Sequence, residues 1–118
     1  MWDFNTNTPI YLQIVEILKA EIIAGTYKPS EKFPSVRELA IEASVNPNTM
    51  QKALATLERE GFLITNRTSG RVVTNDLTKL SESKIDITHK TVLKFAKEMN
   101  SLGYDREGII ELINEIDI

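Results

Sequence analysis

Ser35-Val36-Arg37-Glu38-Leu39-Ala40-Ile41-Glu42-Ala43-Ser44-Val45-Asn46-Pro47-Asn48-Thr49-Met50-Gln51-Lys52 contains two helix starts in quick succession. Ser35 followed three residues later by Glu38 is a capping box, in which the hydroxyl takes one of the unpaired amides of a first helical turn. Val36, Leu39, Ala40 and Ala43 give that helix a buried face, and it is expected to end near Ser44. Asn46-Pro47 is a fresh N-cap with proline at the first helical position, where a missing N–H does no harm. The next helix is expected to run to Glu60 and stop at Gly61, with Met50, Ala53, Leu54 and Leu57 as its inward stripe. Asn48, Gln51, Lys52, Ala55 and Arg59 then point outward, with Thr49 on the exposed first turn. Two short helices joined by a tight turn, the second with a small, polar outer face, make a helix-turn-helix.

The flanking sequence completes a domain around this pair. Upstream, a helix from Pro9 to Ala24 is expected, with Thr8 as N-cap and Gly25 as stop. Its apolar stripe is Ile10, Ile14, Ile17, Leu18 and Ile22. Thr26–Phe33 reads as a loop closed by Pro34. Downstream, Phe62–Thr65 and Arg71–Thr74 flank Asn66-Arg67-Thr68-Ser69-Gly70, which predicts a β-hairpin with a basic tip. A further helix is expected over Thr88–Leu102, with Leu77 as its earliest start. Asp105 caps a last short helix. The expected fold class is mostly α with a small β-hairpin (α+β): a winged helix-turn-helix over residues 1–75, followed by a two-helix segment over 76–118.

Composition sets the limits of function. The chain has 118 residues, no Cys, one His and a net charge of −3. Absent cysteine rules out disulfides and thiolate metal sites, which suits a reducing cytoplasm. No run reaches the ~18–20 apolar residues of a membrane span, and Met1-Trp2-Asp3-Phe4 does not open like a signal peptide. Acidity by itself argues against nucleic acid, but its location reverses that inference. Residues 1–75 carry eight basic and eight acidic side chains, whereas residues 76–118 carry six and nine. Leu63–Asn75 holds Arg67 and Arg71 and no acid.

The outward face has the chemistry of a DNA reader. Asn48 and Gln51 carboxamides can pair bidentately with adenine, and Lys52 can neutralise phosphate. Ala55 allows close approach. Ser35 and Arg37, at a helix N-terminus, offer backbone amides and a guanidinium to a phosphate. Arg67 and Arg71 on the hairpin can reach backbone or minor groove. The competing class is a winged-helix domain used for protein–protein assembly; a face of Asn, Gln and Lys without aromatics fits DNA better than a protein hot spot.

Several ordered motifs also match a family: Pro9-Ile10-Tyr11-Leu12-Gln13-Ile14, Gly25-Thr26-Tyr27-Lys28-Pro29, Phe33-Pro34-Ser35-Val36-Arg37-Glu38-Leu39-Ala40, Val45-Asn46-Pro47-Asn48-Thr49-Met50 and Leu57-Glu58-Arg59-Glu60-Gly61-Phe62-Leu63-Ile64. Over residues 3–74 the chain resembles GntR-type winged-helix transcription regulators. Asp3-Phe4-Asn5 and the short tail are similar to the YtrA-like subfamily. The resemblance implies that Arg37 contacts phosphate, that Asn46, Asn48, Thr49 and Gln51 lie at recognition-helix contact positions, and that Arg67, Ser69, Gly70 and Arg71 belong to the wing. It also implies a repressor acting on an inverted-repeat operator in the cytoplasm, associated with the nucleoid when bound. Three departures stand out: Pro47 where many relatives carry a guanine-reading Arg, Thr68 where the wing usually has a first Gly, and Ser30 in place of a common Gly.

In such relatives the C-terminal helices dimerise. Here Val92, Phe95, Ala96 and Met99 on one helix and Ile109, Leu112, Ile113 and Ile116 on the other form two apolar stripes suited to a homodimer. The alternative is that they fold back on residues 1–75. Glu82, Asp86 and His89 share a possible helix face but read as solvated polar residues rather than a metal site. Lys90, Lys94 and Lys97 form an exposed stripe, and the Trp2/Phe4 arm is expected to pack on the domain. No motif supports catalysis or a cofactor. A small-molecule effector is left open, but a tail this short cannot hold the large ligand-binding domain of many relatives.

Overall fold

The capping residues set most of the element boundaries in the computed structural model, which describes residues 2–118; Met1, first in the expected 1–75 head, lies outside the described residues. The order is α1 (Ile10–Ala24), α2 (Val36–Ala43), α3 (Pro47–Arg59), β1 (Leu63–Asn66), β2 (Gly70–Val73), α4 (Leu77–Ser101) and α5 (Arg106–Glu115). Ser35 Oγ accepts from the Glu38 N–H and donates to Glu38 Oε1, both at 3.1 Å. Asn46 Oδ1 accepts from the Asn48 N–H at 2.7 Å, with Pro47 in the first turn of α3. Asp105 Oδ1 caps α5 through the Gly108 N–H at 2.9 Å.

The start of α1 differs from expectation. Pro9 itself is the N-cap residue, and no side chain caps the helix. Thr8 serves instead through its carbonyl, which accepts from Gln13 Nε2 at 2.9 Å. Gln13 also grips Asn5, donating to its carbonyl and accepting from its N–H. The N-terminal arm is thereby tied to α1, with Trp2 and Phe4 packed against the core.

The core forms where α1, α2 and α3 meet. Ile14, Val15, Leu18 and Ile22 pack with Leu39, Ala40 and Ala43 and with Met50, Ala53, Leu54 and Leu57. Val15 replaces Ile10 in the expected stripe. It lies three and seven residues before Leu18 and Ile22, on their face of a 3.6-residue helix, whereas Ile10 stays 41% exposed. Burying each large apolar side chain contributes roughly 1.5–3 kcal/mol. The turn between α2 and α3 is closed by Ser44, whose φ of 56° is left-handed.

The hairpin is antiparallel, pairing Leu63↔Val73, Ile64↔Val72, Thr65↔Arg71 and Asn66↔Gly70. Its strands sit one residue nearer the turn than expected, because the tip closes tightly. Asn66 Oδ1 accepts from both the N–H (3.0 Å) and the hydroxyl (2.9 Å) of Thr68, and Gly70 takes φ 79°. Thr68 therefore stabilises the turn through its hydroxyl. Backbone bonds join Ser30 and Glu31 to Val73 at the root of β2 and Phe33 to Arg71 nearer the turn.

The contacts divide the chain into two units, one ending at Ser81 and one of Glu82–Ile118. The first turn of α4 belongs to the head: Asp76 Oδ1 accepts from the Lys79 N–H, Lys79 Nζ lies 4.7 Å from the centre of the Phe62 ring, and Leu80 packs on the core. α4 runs unbroken through Thr88, where the shorter expected helix began. Neither α4 nor α5 has a fully buried residue.

Two stability measurements follow from this packing. Leu54→Ala, at a fully buried position, is expected to lower unfolding free energy by about 2–5 kcal/mol in chemical denaturation. Ser30 has φ 67°, and its N–H donates to the Val73 carbonyl. Ser30→Gly keeps that bond and relieves the left-handed strain, so it is expected to raise stability by about 0.5 kcal/mol, net of the added unfolded-state entropy.

Candidate nucleic-acid interface

With its inward stripe buried, α3 presents the opposite face to solvent. Asn46, Asn48, Gln51 and Lys52 are exposed; Ala55 is half-buried, and so is Thr49, which is less open than its first-turn position suggested. The Asn46 side-chain oxygen is committed to its cap. Among the described residues, the Asn48 and Gln51 carboxamides have no hydrogen-bond partner, so their donors and acceptors are available to a ligand. Lys52 Nζ lies 4.1 Å from the centre of the Tyr11 ring. This cation–π contact holds its charge beside α1 while leaving it accessible.

Two further elements flank this face. Arg37 projects from the first turn of α2 and is exposed, with no carboxylate partner among the described residues. Its neighbour Ser35 lines a groove of about 430 Å³ with Lys32, Phe33, Val36 and Glu38 on one side and Thr65, Ser69, Gly70 and Arg71 on the other. Ser35, Ser69, Gly70 and Arg71 are thus brought together, and Arg67 stands exposed at the hairpin tip. With Lys32 and Arg71 in the groove against the acid Glu38, and Arg37 and Arg67 exposed nearby, this side of the head offers cationic groups to phosphate.

Glu58 belongs to this surface and was not among the expected site residues. It lies seven residues after Gln51 and three after Ala55, on their side of α3. Arg71 Nε donates to Glu58 Oε1 at 3.2 Å, and the Thr65 hydroxyl donates to Oε2. The Thr65 bond, helped by Arg71, holds the Glu58 pKa below the ordinary carboxylate value against the opposing effect of burial. Arg71 is accordingly half-buried and partly engaged within the protein. The sequence signal was available in the helical spacing of 51, 55 and 58, but the cross-strand partners only become visible once the hairpin register is known.

In the Glu82–Ile118 unit, Val92, Phe95 and Ala96 of one stripe and Ile109 and Ile113 of the other line a cleft of about 340 Å³ with Asn100, Arg106 and Ile110, whereas Met99, Leu112 and Ile116 lie outside its lining. Val92, Phe95, Ile113 and Ile116 are exposed, and Ala96, Met99, Ile109 and Leu112 are half-buried. Glu82, Asp86 and His89 are exposed, with Asp86 paired to Lys90 at 3.1 Å.

The family model for "Bacterial regulatory proteins, gntR family" matches residues 10–73. The chain belongs to the GntR family. It is 38% identical over 115 residues to the HTH-type transcriptional repressor YtrA of Bacillus subtilis (strain 168), covering 97% of this chain and 88% of that one. A GntR family transcriptional regulator from Listeria monocytogenes superposes with a TM-score of 0.85 at 38% identity, covering 97% of this chain and all of that one. AraR(DBD) in complex with operator ORR3 matches with a TM-score of 0.55 at 28% identity, covering 61% of this chain and 87% of that one. This GntR member is of the YtrA type, a DNA-binding transcription regulator and not an enzyme. Among the described residues, no helix is long and apolar enough to cross a membrane.

The Glu58 contacts give a pH dependence. A carboxyl whose folded pKa is depressed adds stability that is present above its unfolded pKa and lost as pH falls through the folded value. Wild type is therefore expected to be more stable than Glu58→Gln at about pH 7, with the gap narrowing toward about pH 3, in denaturation curves at both.

Proposed function

We propose that this GntR-family regulator is a repressor that binds an inverted-repeat operator as a homodimer. The carrying observation is the outward face of α3, where Asn48 and Gln51 are unpartnered beside exposed Arg37 and the basic wing. In this reading α3 enters the major groove. Asn48, Thr49 and Gln51 contact base edges, with Asn46 at the helix start. Ser35, Arg37 and Lys52 hold phosphates on either side and fix the register. Arg67, Ser69, Gly70 and Arg71 follow the backbone into the neighbouring minor groove.

The C-terminal unit supplies the second copy. Val92, Phe95, Ala96 and Met99 on α4, with Ile109, Leu112, Ile113 and Ile116 near α5, make an apolar surface that is unfavourable to leave in water. Covering it with the same surface of another copy gives a two-fold dimer with two recognition helices and a palindromic target. Bound across a promoter in the cytoplasm, such a dimer excludes polymerase; the repressor named among its relatives supports that direction of control.

Three measurements test the reading. Operator affinity is expected to fall steeply with added salt, as counterion release requires; a flat salt response contradicts it. Arg37→Ala is expected to weaken binding to all sequences alike, whereas Gln51→Ala relaxes preference at one base pair, each by about 1–3 kcal/mol. Sedimentation at micromolar concentration is expected to give a dimer, and a monomer there contradicts the proposed assembly.

A further inference from the structure

Thr65 and Arg71 face each other across the hairpin, and a single carboxylate takes both side chains. The Thr65 hydroxyl donates to Glu58 Oε2, and Arg71 Nε donates to Oε1 at 3.2 Å. Glu58 comes from the last turns of α3, so one side chain joins that helix to both strands at one rung. The rung adjoins Asn66↔Gly70, the pair that closes the hairpin beneath Arg67. Backbone bonds join Ser30 and Glu31 to Val73 at the root, and the Phe33 N–H donates to the Arg71 carbonyl on the clipped rung itself, so β2 is held there by its backbone while Glu58 adds a side-chain hold that also reaches β1. A two-stranded hairpin is marginal by itself and twists readily, so the contacts on its upper rungs set where its tip lies. A carboxylate accepting two side-chain bonds, one of them from a guanidinium, is a directional constraint of that kind.

We propose that Glu58 is a positioning residue for DNA binding: it clips Thr65 and Arg71 to α3 and so fixes the wing tip, with Arg67, relative to the outward face of the recognition helix. The inference rests on the reading above that the wing contacts DNA. Electrostatically, Glu58 takes positive charge from this surface by pairing with Arg71, so removing its carboxylate lessens repulsion and frees a guanidinium for phosphate, whereas removing the clip loosens the wing. The two effects have opposite signs. Removing the charge tightens binding if repulsion is all that Glu58 contributes, and weakens binding if it holds the wing.

The test uses the full chain and a duplex enriched by the wild-type protein from a random DNA pool. Affinity and hydroxyl-radical footprints are compared for Glu58→Gln, Arg67→Ala and the double variant, with thermal unfolding as the check on folding. Glu58→Gln is expected to lose at least about 3-fold in affinity, and the double variant to lose less than the product of the single losses, because an unheld wing makes Arg67 less useful. Protection of the flanks outside the α3 contact is expected to shrink in all three. Unchanged or tighter binding by Glu58→Gln, alongside weaker binding by Arg67→Ala, overturns the positioning role and leaves the wing reading intact. No effect of Arg67→Ala on affinity or flanks overturns the wing reading, and the proposal with it. Should Glu58→Gln fail to fold, Thr65→Val removes one arm of the clip and keeps the charge. Loss of flanking protection in that variant is then the expected result, and unchanged protection overturns the proposal.

Discussion

Burial of one face of α3 determines what its other face can do. Met50, Ala53, Leu54 and Leu57 pack against α1 and α2, with Ile14 and Leu18 opposite them in the core. Close packing leaves the helix little freedom to rotate about its axis. Asn48 and Gln51 are therefore outward by consequence of the core and not through contacts of their own. The same seating places Lys52 over Tyr11 and carries Glu58 to the wing. A cavity in this stripe would disturb the interface without touching any residue in it.

Much of the head was legible in the sequence because its boundaries are set by local chemistry. Ser35, Asn46 and Asp105 cap helices as their side chains dictate, and Gly25 and Gly61 adopt the left-handed φ of helix stops. Amphipathic spacing found the apolar inward stripe of α3, but not the buried Thr56, whose hydroxyl donates to the Lys52 carbonyl. The departures are non-local. Pro9 displaced Thr8 as the cap once Gln13 reached back to bind the arm, and the Thr68 hydroxyl could be assigned a use only with Asn66 folded over it. Glu58 escaped notice because its role depends on which residues face each other across a hairpin thirteen positions away.

Charge needed the same attention to place. A net −3 is a poor guide, because residues 1–75 are balanced and the excess of acid falls after them. Within the head, Glu60 is paired with Lys19 at 2.9 Å and Glu58 with Arg71, so two of the acids nearest the recognition helix are already compensated. Arg37 and Arg67 remain exposed. In the following segment, Asp86 pairs with Lys90 while the apolar side chains of α4 and α5 stay open to solvent. The balanced charge of the DNA-binding head and the exposed apolar surface of the C-terminal helices thus occupy different stretches of one short chain.

The central claim is that the outward face of α3, presented twice by a dimer, reads base pairs. Selection from a random duplex pool, followed by footprinting of the enriched DNA, addresses it most directly. The expected outcome is an inverted repeat with half-sites about one helical turn apart and specified A·T pairs opposite Asn48 and Gln51. Enrichment of single, unrepeated sites, or of half-sites with no A·T preference at any position, would contradict the account.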